Sequence, residues 1–348
     1  MQYPNHMDEA LYYNALALEW RGVREAMAKL RAAFGTWKAA YTATAGAAGP
    51  ALNPEHEFER LQKRNIRLVL QSDAEYPPLL REIAQPPFGL YIRGTIPDRK
   101  ISIAVVGTRK ATSEGKHTAR EFGRSLSDAG VLVVSGLAFG IDAAAHEGAL
   151  DANAPTVAVI ASGLHAPYPR SHERLAEKIA ASGGAVVSEY PFGEPARPFR
   201  FLERNRIVSG LATGAVIIEA PDGSGALNTA RHAFEENRDL FVVPGSIRHP
   251  NFKGSHALIR QGAELVRGPE DICEAYGITK AARIAYIDSN ATPEEKLILK
   301  ALSDASLALT VDKLTNITKL DTRVINRALA LLIIKNLARE TEGGYIMN

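Results

Sequence analysis

Cysteine is nearly missing from this sequence: Cys273 stands alone among 348 residues. An internal disulfide is therefore impossible, and no Cys/His cluster has the spacing of a zinc site, so no metal is expected. A charge excess is missing too. Lys and Arg total 41 against 39 for Asp and Glu, a formal net charge of +2. That excludes a bulk polycation, so any grip on nucleic acid has to come from a local basic surface. No apolar run approaches the ~18 residues that a membrane helix needs. The opening stretch from Met1 to Tyr13 lacks the basic-then-apolar order of a signal peptide. A cytoplasmic protein without a membrane partner is the expectation. The Gly-x-Gly-x-x-Gly fingerprint of dinucleotide sites is also lacking. Gly115-Lys116 invites a Walker A reading, but residue 110 is Lys rather than Gly, and residue 117 is His rather than Ser or Thr. No cofactor is expected.

What remains is an ordinary globular composition, 46% hydrophobic and 23% charged, with length enough for two or three domains. Residues 1 to about 45 are rich in Ala and Leu and read as helices. The break Thr44-Ala-Gly-Ala-Ala-Gly-Pro-Ala-Leu-Asn-Pro54 follows, so 1–54 is expected to be a small helical domain, SAM-like or similar. Residues 55–98 read as a short connecting unit with one strand, Ile66–Leu70. From Ile101 the pattern changes. Ile101–Val106 is an almost continuous apolar run, as for a strand buried on both faces. Ser113–Ala129 then places Ala119, Phe122, Leu126 and Ala129 at helical spacing. Strand and helix go on alternating to Val266, which predicts a parallel sheet covered on both faces over 55–275. Residues 276–290 read as a linker. In 291–348, three helices and a closing hairpin with Glu342-Gly-Gly344 as its turn describe a winged-helix domain.

Right-handed crossovers bring every strand-to-helix loop to one edge of such a sheet. Three of those loops are rich in Gly and small hydroxylated residues: Gly107-Thr-Arg-Lys-Ala-Thr-Ser113, Ser135-Gly-Leu-Ala-Phe-Gly-Ile-Asp142 and Pro221-Asp-Gly-Ser-Gly-Ala-Leu-Asn-Thr229. Glycine lets backbone approach an anion closely, and the free N–H groups of a helix start point at it. Side by side, the three suit a chain of phosphates or one large nucleotide. The candidates are Gly107, Thr108, Arg109, Lys110, Ser135, Gly136, Ser224 and Gly225. A fourth element interleaves Arg197, Arg200, Arg204 and Arg206 with Phe199 and Phe201, followed by Asn205. Guanidinium groups pair with phosphates, and an aromatic face stacks on an unpaired base. Only single strands offer free base faces. Here Phe201 is read as lying just before a helix. Arg206 serves equally well as a salt-bridge partner. Asp142 and His146, four apart, read as a polar pair that fixes the Gly136 loop. Glu219, at a strand end, either bonds loop amides or acts as a carboxylate acid or base.

In order along the chain, Val105-Val-Gly-Thr-Arg109, Ser135-Gly-Leu-Ala-Phe-Gly-Ile-Asp-Ala-Ala-Ala-His146, Tyr168-Pro169, Ser188-Glu-Tyr-Pro191, Phe201-Leu-Glu-Arg-Asn-Arg-Ile207, Glu219-Ala220, Ser224-Gly-Ala-Leu-Asn-Thr-Ala230 and Val243-Pro-Gly245 resemble the DNA-processing protein A (DprA, or Smf) family. The match spans roughly residues 60–270. The resemblance implies an extended Rossmann-like core and no catalysis. It implies binding of single-stranded DNA without strong sequence preference, protection of that DNA, and loading of the RecA recombinase during natural transformation. The DNA would lie at the loop edge, on Gly107, Arg109, Ser135, Gly136, Phe201, Arg204, Asn205, Ser224 and Gly225. Many members carry a Lys shortly before the aromatic residue. Pro198 stands near that place here, flanked by Arg197 and Arg200. Members also pair tail to tail, which makes His256, Ile259 and Leu265 interface candidates in a homodimer.

Two other readings compete. Phosphoribohydrolases that activate cytokinins have a Pro-Gly-Gly-x-Gly-Thr turn that Pro221-Asp-Gly-Ser-Gly225 echoes. They place a Glu three residues after its Gly-Thr, where this sequence has Thr229. A duplex-DNA regulator would instead act through the C-terminal unit. Its third helix carries Arg323 and Arg327, but also Leu331, Ile333 and Ile334.

Overall fold

A computed structural model of the chain describes residues 5–48, 52–278, 291–305, 308–334, 337–341 and 343–347. Of the expected linker, residues 279–290 lie outside the described residues, as does Glu342 of the expected final turn. By internal contacts the chain divides into two units. One takes Met1–Ser127 and Val131–Ile272, and the other Asp128–Gly130 and Cys273–Asn348.

The large unit is built on a nine-stranded sheet. Its strands are β1 (Ile66–Leu70), β2 (Gly89–Gly94), β3 (Ser102–Val106), β4 (Leu132–Ser135), β5 (Thr156–Val159), β6 (Ala185–Ser188), β7 (Gly214–Ile217), β8 (Asp239–Val242) and β9 (Glu264–Leu265). Their order across the sheet is β1-β2-β6-β5-β4-β3-β7-β8-β9. The seven strands from β6 to β9 in that order run parallel, and β2 and β1 join antiparallel. Residues 55–98 are thus not a mere connector, because β1 and β2 extend the sheet. Every residue of β3 is buried, as its continuous apolar run requires.

Four helices, α1 (Asn5–Glu19), α2 (Arg24–Phe34), α3 (Trp37–Thr44) and α4 (Pro54–Gln62), precede β1, and α5 (Pro78–Glu82), α6 (Ser113–Asp128), α7 (Ile141–Asp151) and α8 (Glu173–Ala181) run between later strands. After them come α9 (Pro198–Gly210), α10 (Gly225–Glu235), α11 (Lys253–Arg260) and α12 (Pro269–Ala275). Alternate residues of each central strand feed different cores. Val157 and Val159 of β5 pack with Ile207, Val208 and Ala230 from α9 and α10. Ala158, with Ile160 just beyond, packs on the other side with Tyr13, Leu16, Met27 and Trp37 from α1, α2 and α3. The first three helices therefore share a core with the sheet. The expected boundary at residue 54 does not separate packed units, because those helices bury their apolar faces on β1, β2 and β6 rather than on one another alone.

In the small unit, α13 (Pro293–Asp304), α14 (Val311–Thr318) and α15 (Thr322–Ile334) stand beside an antiparallel pair, β10 (Ala338–Thr341) and β11 (Gly344–Met347). Thr292 and Glu295 form a capping box on α13, which satisfies two otherwise unpaired amides. Ile298, Leu302, Leu314, Ile325, Leu329 and Leu332 make its core.

Candidate nucleic-acid interface

The strand order reverses between β3 and β7. On one side of β3 the order runs β4, β5, β6, and on the other β7, β8, β9. Loops leaving the carboxyl ends of strands at such a point diverge and leave a crevice. Here the loops after β3, β4 and β7 are the three Gly-rich segments, and α9 closes the fourth side. The cleft between them holds about 610 Å³.

Ten of the expected residues line it: Gly107, Thr108, Arg109, Lys110, Gly136, Phe201, Arg204, Asn205, Ser224 and Gly225. Arg109 and Lys110 are exposed, and the Arg109 guanidinium lies 4.5 Å from the centre of the Phe201 ring. Tyr168 meets the same ring edge-on at 5.5 Å. A cation, two aromatic rings and three Gly-rich loops thus line one cavity. Contrary to expectation, Phe201 does not precede a helix. It lies in the first turn of α9, because Pro198 starts that helix three residues earlier.

Buried charges hold the loops. The Asp142 carboxylate accepts the Gly136 amide at 3.1 Å and the Ala138 amide at 3.4 Å. Burial raises its pKa, opposed by the nearby Arg204 and by those amides. Arg204 is 4% exposed and donates to the Val159 carbonyl at 2.8 Å. Burial lowers its pKa to about 10, so it stays charged at neutral pH. Its Nε is buried without a hydrogen-bond partner. Gly136 is needed here, since a Cβ on it would sit 1.7 Å from Arg204 Nη1. Glu219 resolves its two readings in favour of loop support. It accepts from Thr112 N at 3.1 Å, from the Thr112 hydroxyl, and from Asn251 Nδ2 at 2.8 Å. Asn205 Nδ2 donates to the Gly225 carbonyl at 3.2 Å, which ties α9 to the third loop.

Three expected residues are elsewhere. Ser135 is fully buried, and its hydroxyl donates to the Val105 carbonyl of the neighbouring strand β3 at 2.7 Å. Arg200 is 3% exposed and paired with Glu194 at 2.8 Å, since the helical turn that points Phe201 at the cleft turns residue 200 away. Arg197 stands one residue before α9, outside the lining set. Arg206 forms a buried ion pair with Glu189 at 2.6 Å. The expected Asp142–His146 pair is absent as well. His146 Nδ1 bonds the Thr156 hydroxyl at 2.8 Å, and burial lowers its pKa to about 3. Sequence reasoning gave no role to Tyr168, although an exposed aromatic before a proline in a conspicuous motif was a usable signal. At the far edge of the sheet, Ile259 packs against the core and His256 Nε2 bonds the Gly245 carbonyl, whereas Leu265 is exposed. Among the described residues no His/Cys/Asp/Glu group could hold a metal, and no helix is long and apolar enough to cross a membrane.

A family model described as DNA recombination-mediator protein A matches residues 67–277, the part of the chain that carries this cleft. The chain belongs to the DprA/Smf family. It is 41% identical over 215 residues to Protein Smf of Escherichia coli, a match covering 62% of this chain and 58% of that protein. The chain thus spans under two thirds of that relative's length. A crystal structure of DNA processing protein A from Streptococcus pneumoniae is 32% identical with a TM-score of 0.61, covering 79% of this chain and 98% of that one. The Helicobacter pylori protein, solved to describe its single-stranded DNA binding mode, is 27% identical with a TM-score of 0.55, covering 61% and 95%.

Proposed function

We propose that the cleft binds single-stranded DNA, and that the protein protects such strands and helps load RecA on them in natural transformation. The observation that carries this reading is Arg109 stacked on Phe201 at 4.5 Å inside a crevice walled by three Gly-rich loops. A guanidinium and a phenyl ring side by side suit the alternation of phosphate and unpaired base. The family, and the single-strand binding described for the H. pylori relative, point the same way.

The role is binding rather than catalysis. Ser135, His146, Asp142 and Glu219, the residues that could supply nucleophile, base or acid, are each committed to holding the scaffold. The protein acts in the cytoplasm as a homodimer, joined tail to tail through the late helix and strand that carry His256, Ile259 and Leu265, of which Leu265 is exposed. The small unit is a winged helix, and α15 exposes Leu331, Ile333 and Ile334 beside Arg323 and Arg327. That mixture suits a protein contact better than a duplex groove. Titration with single-stranded and duplex oligonucleotides at several salt concentrations tests the reading. Preference for single strands is expected, and equal or tighter duplex binding refutes it. Release of base from nucleoside monophosphates would overturn the non-catalytic role.

A further inference from the structure

Beyond the cleft wall, the second loop carries an aromatic side chain that the lining set does not include. Phe139 is 46% exposed. Its ring meets the His172 ring edge-on at 4.9 Å. Leaving such a ring in water forgoes the burial that a phenyl side chain normally gains, and the backbone around it is held in conformations that need support. Leu137, two residues before, has φ 58°, a left-handed region that disfavours branched side chains. Gly140, just after, has φ 80°, and a Cβ there would lie 2.4 Å from the Thr108 carbonyl oxygen. Three ties keep this strained turn in place. Asp142 takes the amides of Gly136 and Ala138. His172 Nδ1 donates to the Leu137 carbonyl at 2.9 Å. The Ile141 amide reaches the Thr108 carbonyl at 3.5 Å. The turn is fixed on every side, and what it projects is Phe139.

The position is continuous with the cleft in two ways. Gly140 abuts the backbone of Thr108 and Arg109, the residues of the first loop. On the other side, Tyr168 touches Phe201 at 5.5 Å, and the chain runs from it through the turn Arg170–His172 to the ring beside Phe139. Arg170 and Arg174 on this segment are exposed, with Glu173 between them.

We infer that Phe139, backed by His172, is a second stacking platform, over which a strand seated on Phe201 continues across the β4–α7 loop. This rests on the single-strand reading above. His172 orients the phenyl ring, and the exposed arginines lie where the backbone of the continuing strand would pass. The site therefore accommodates a strand several nucleotides long rather than one bound nucleotide.

The full-length protein, titrated with a length series of oligodeoxythymidines, tests this. In the wild type, affinity should step up once the oligonucleotide is long enough to reach Phe139. In Phe139→Ala that step should vanish, a loss of about 5- to 150-fold for long strands, with affinity for the shortest binding oligonucleotide unchanged. Phe139→Tyr should restore the step. Phe139→Trp should show added fluorescence that long strands quench and the shortest do not. Equal loss at every length, or no loss at any, overturns the second platform. Failure of the wild type to bind any single strand would instead overturn the functional reading itself.

Discussion

Replacing Phe201 by alanine should weaken single-strand binding without changing how binding responds to salt. The ring is a contact surface for a base, and it also supports the Arg109 guanidinium at 4.5 Å and the Tyr168 ring at 5.5 Å. Loss of one stacked base is worth ~1–3 kcal/mol, which converts to a dissociation constant about 5- to 150-fold higher. A phenyl ring neutralises no phosphate and releases no counterion, so the slope of log K against log salt should stay at its wild-type value. Arg109→Ala should do the reverse in slope, flattening it by about 0.7, the share of one phosphate on a single strand. Because the two side chains touch, their effects should not add. A double-mutant cycle should return a coupling of about 0.5–1 kcal/mol, as for a cation on an exposed ring. Fluorescence anisotropy with a labelled oligonucleotide at four or five salt concentrations measures all three quantities. A changed slope in Phe201→Ala, or strictly additive effects, would refute a shared trough in which ring and guanidinium act together.

Three further outcomes follow from the packing. Gly136→Ala should reduce DNA affinity at least tenfold and destabilise the fold by about 1–3 kcal/mol, because the new methyl displaces Arg204 from 1.7 Å; denaturant melts and binding isotherms of the same sample read both. Arg206→Ala leaves the Glu189 carboxylate buried and unpaired and should cost about 3–5 kcal/mol, seen as a lowered urea midpoint. Burial raises the Glu236 pKa to about 7. A carboxyl that holds its proton more tightly when folded adds stability below its unfolded pKa and loses that contribution as pH rises through about 7. Glu236→Gln should therefore gain on the wild type from about pH 4.5 to about pH 7 and level off above that, and a pH-independent difference in melting would contradict this.

Much of the site was legible because it depends on chain order and strand burial. The apolar runs of β3, β4 and β7 fixed which loops share an edge, and ten of the thirteen expected DNA contacts line one cleft. The failures have a common cause. Which way a side chain turns is set by helix phase, and the start of α9 was placed too late. Moving it back to Pro198 brings Phe201 and Arg204 to the cleft, while Arg200 goes to Glu194 and Arg206 to Glu189. Ser135 and His146 failed for a related reason, since a hydroxyl or an imidazole in a motif says nothing of whether a carbonyl or a threonine lies closer than a ligand would. The first helices read as separate because an Ala- and Gly-rich break looks like a tether. Nothing local announces that Leu16 and Trp37 pack with Ile160.

That shared packing changes how the molecule can be dissected. Arg200, at the root of α9, donates to the carbonyl of Arg21 at 2.9 Å in the turn after α1, and Arg21 itself lies 3.6 Å from Glu194. Cutting the chain at residue 54 to obtain a minimal binder would strip the cover from Leu68, Ile160 and Val186 and remove a latch on the helix that presents Phe201. The amino-terminal helices are a keystone of the trough they never touch.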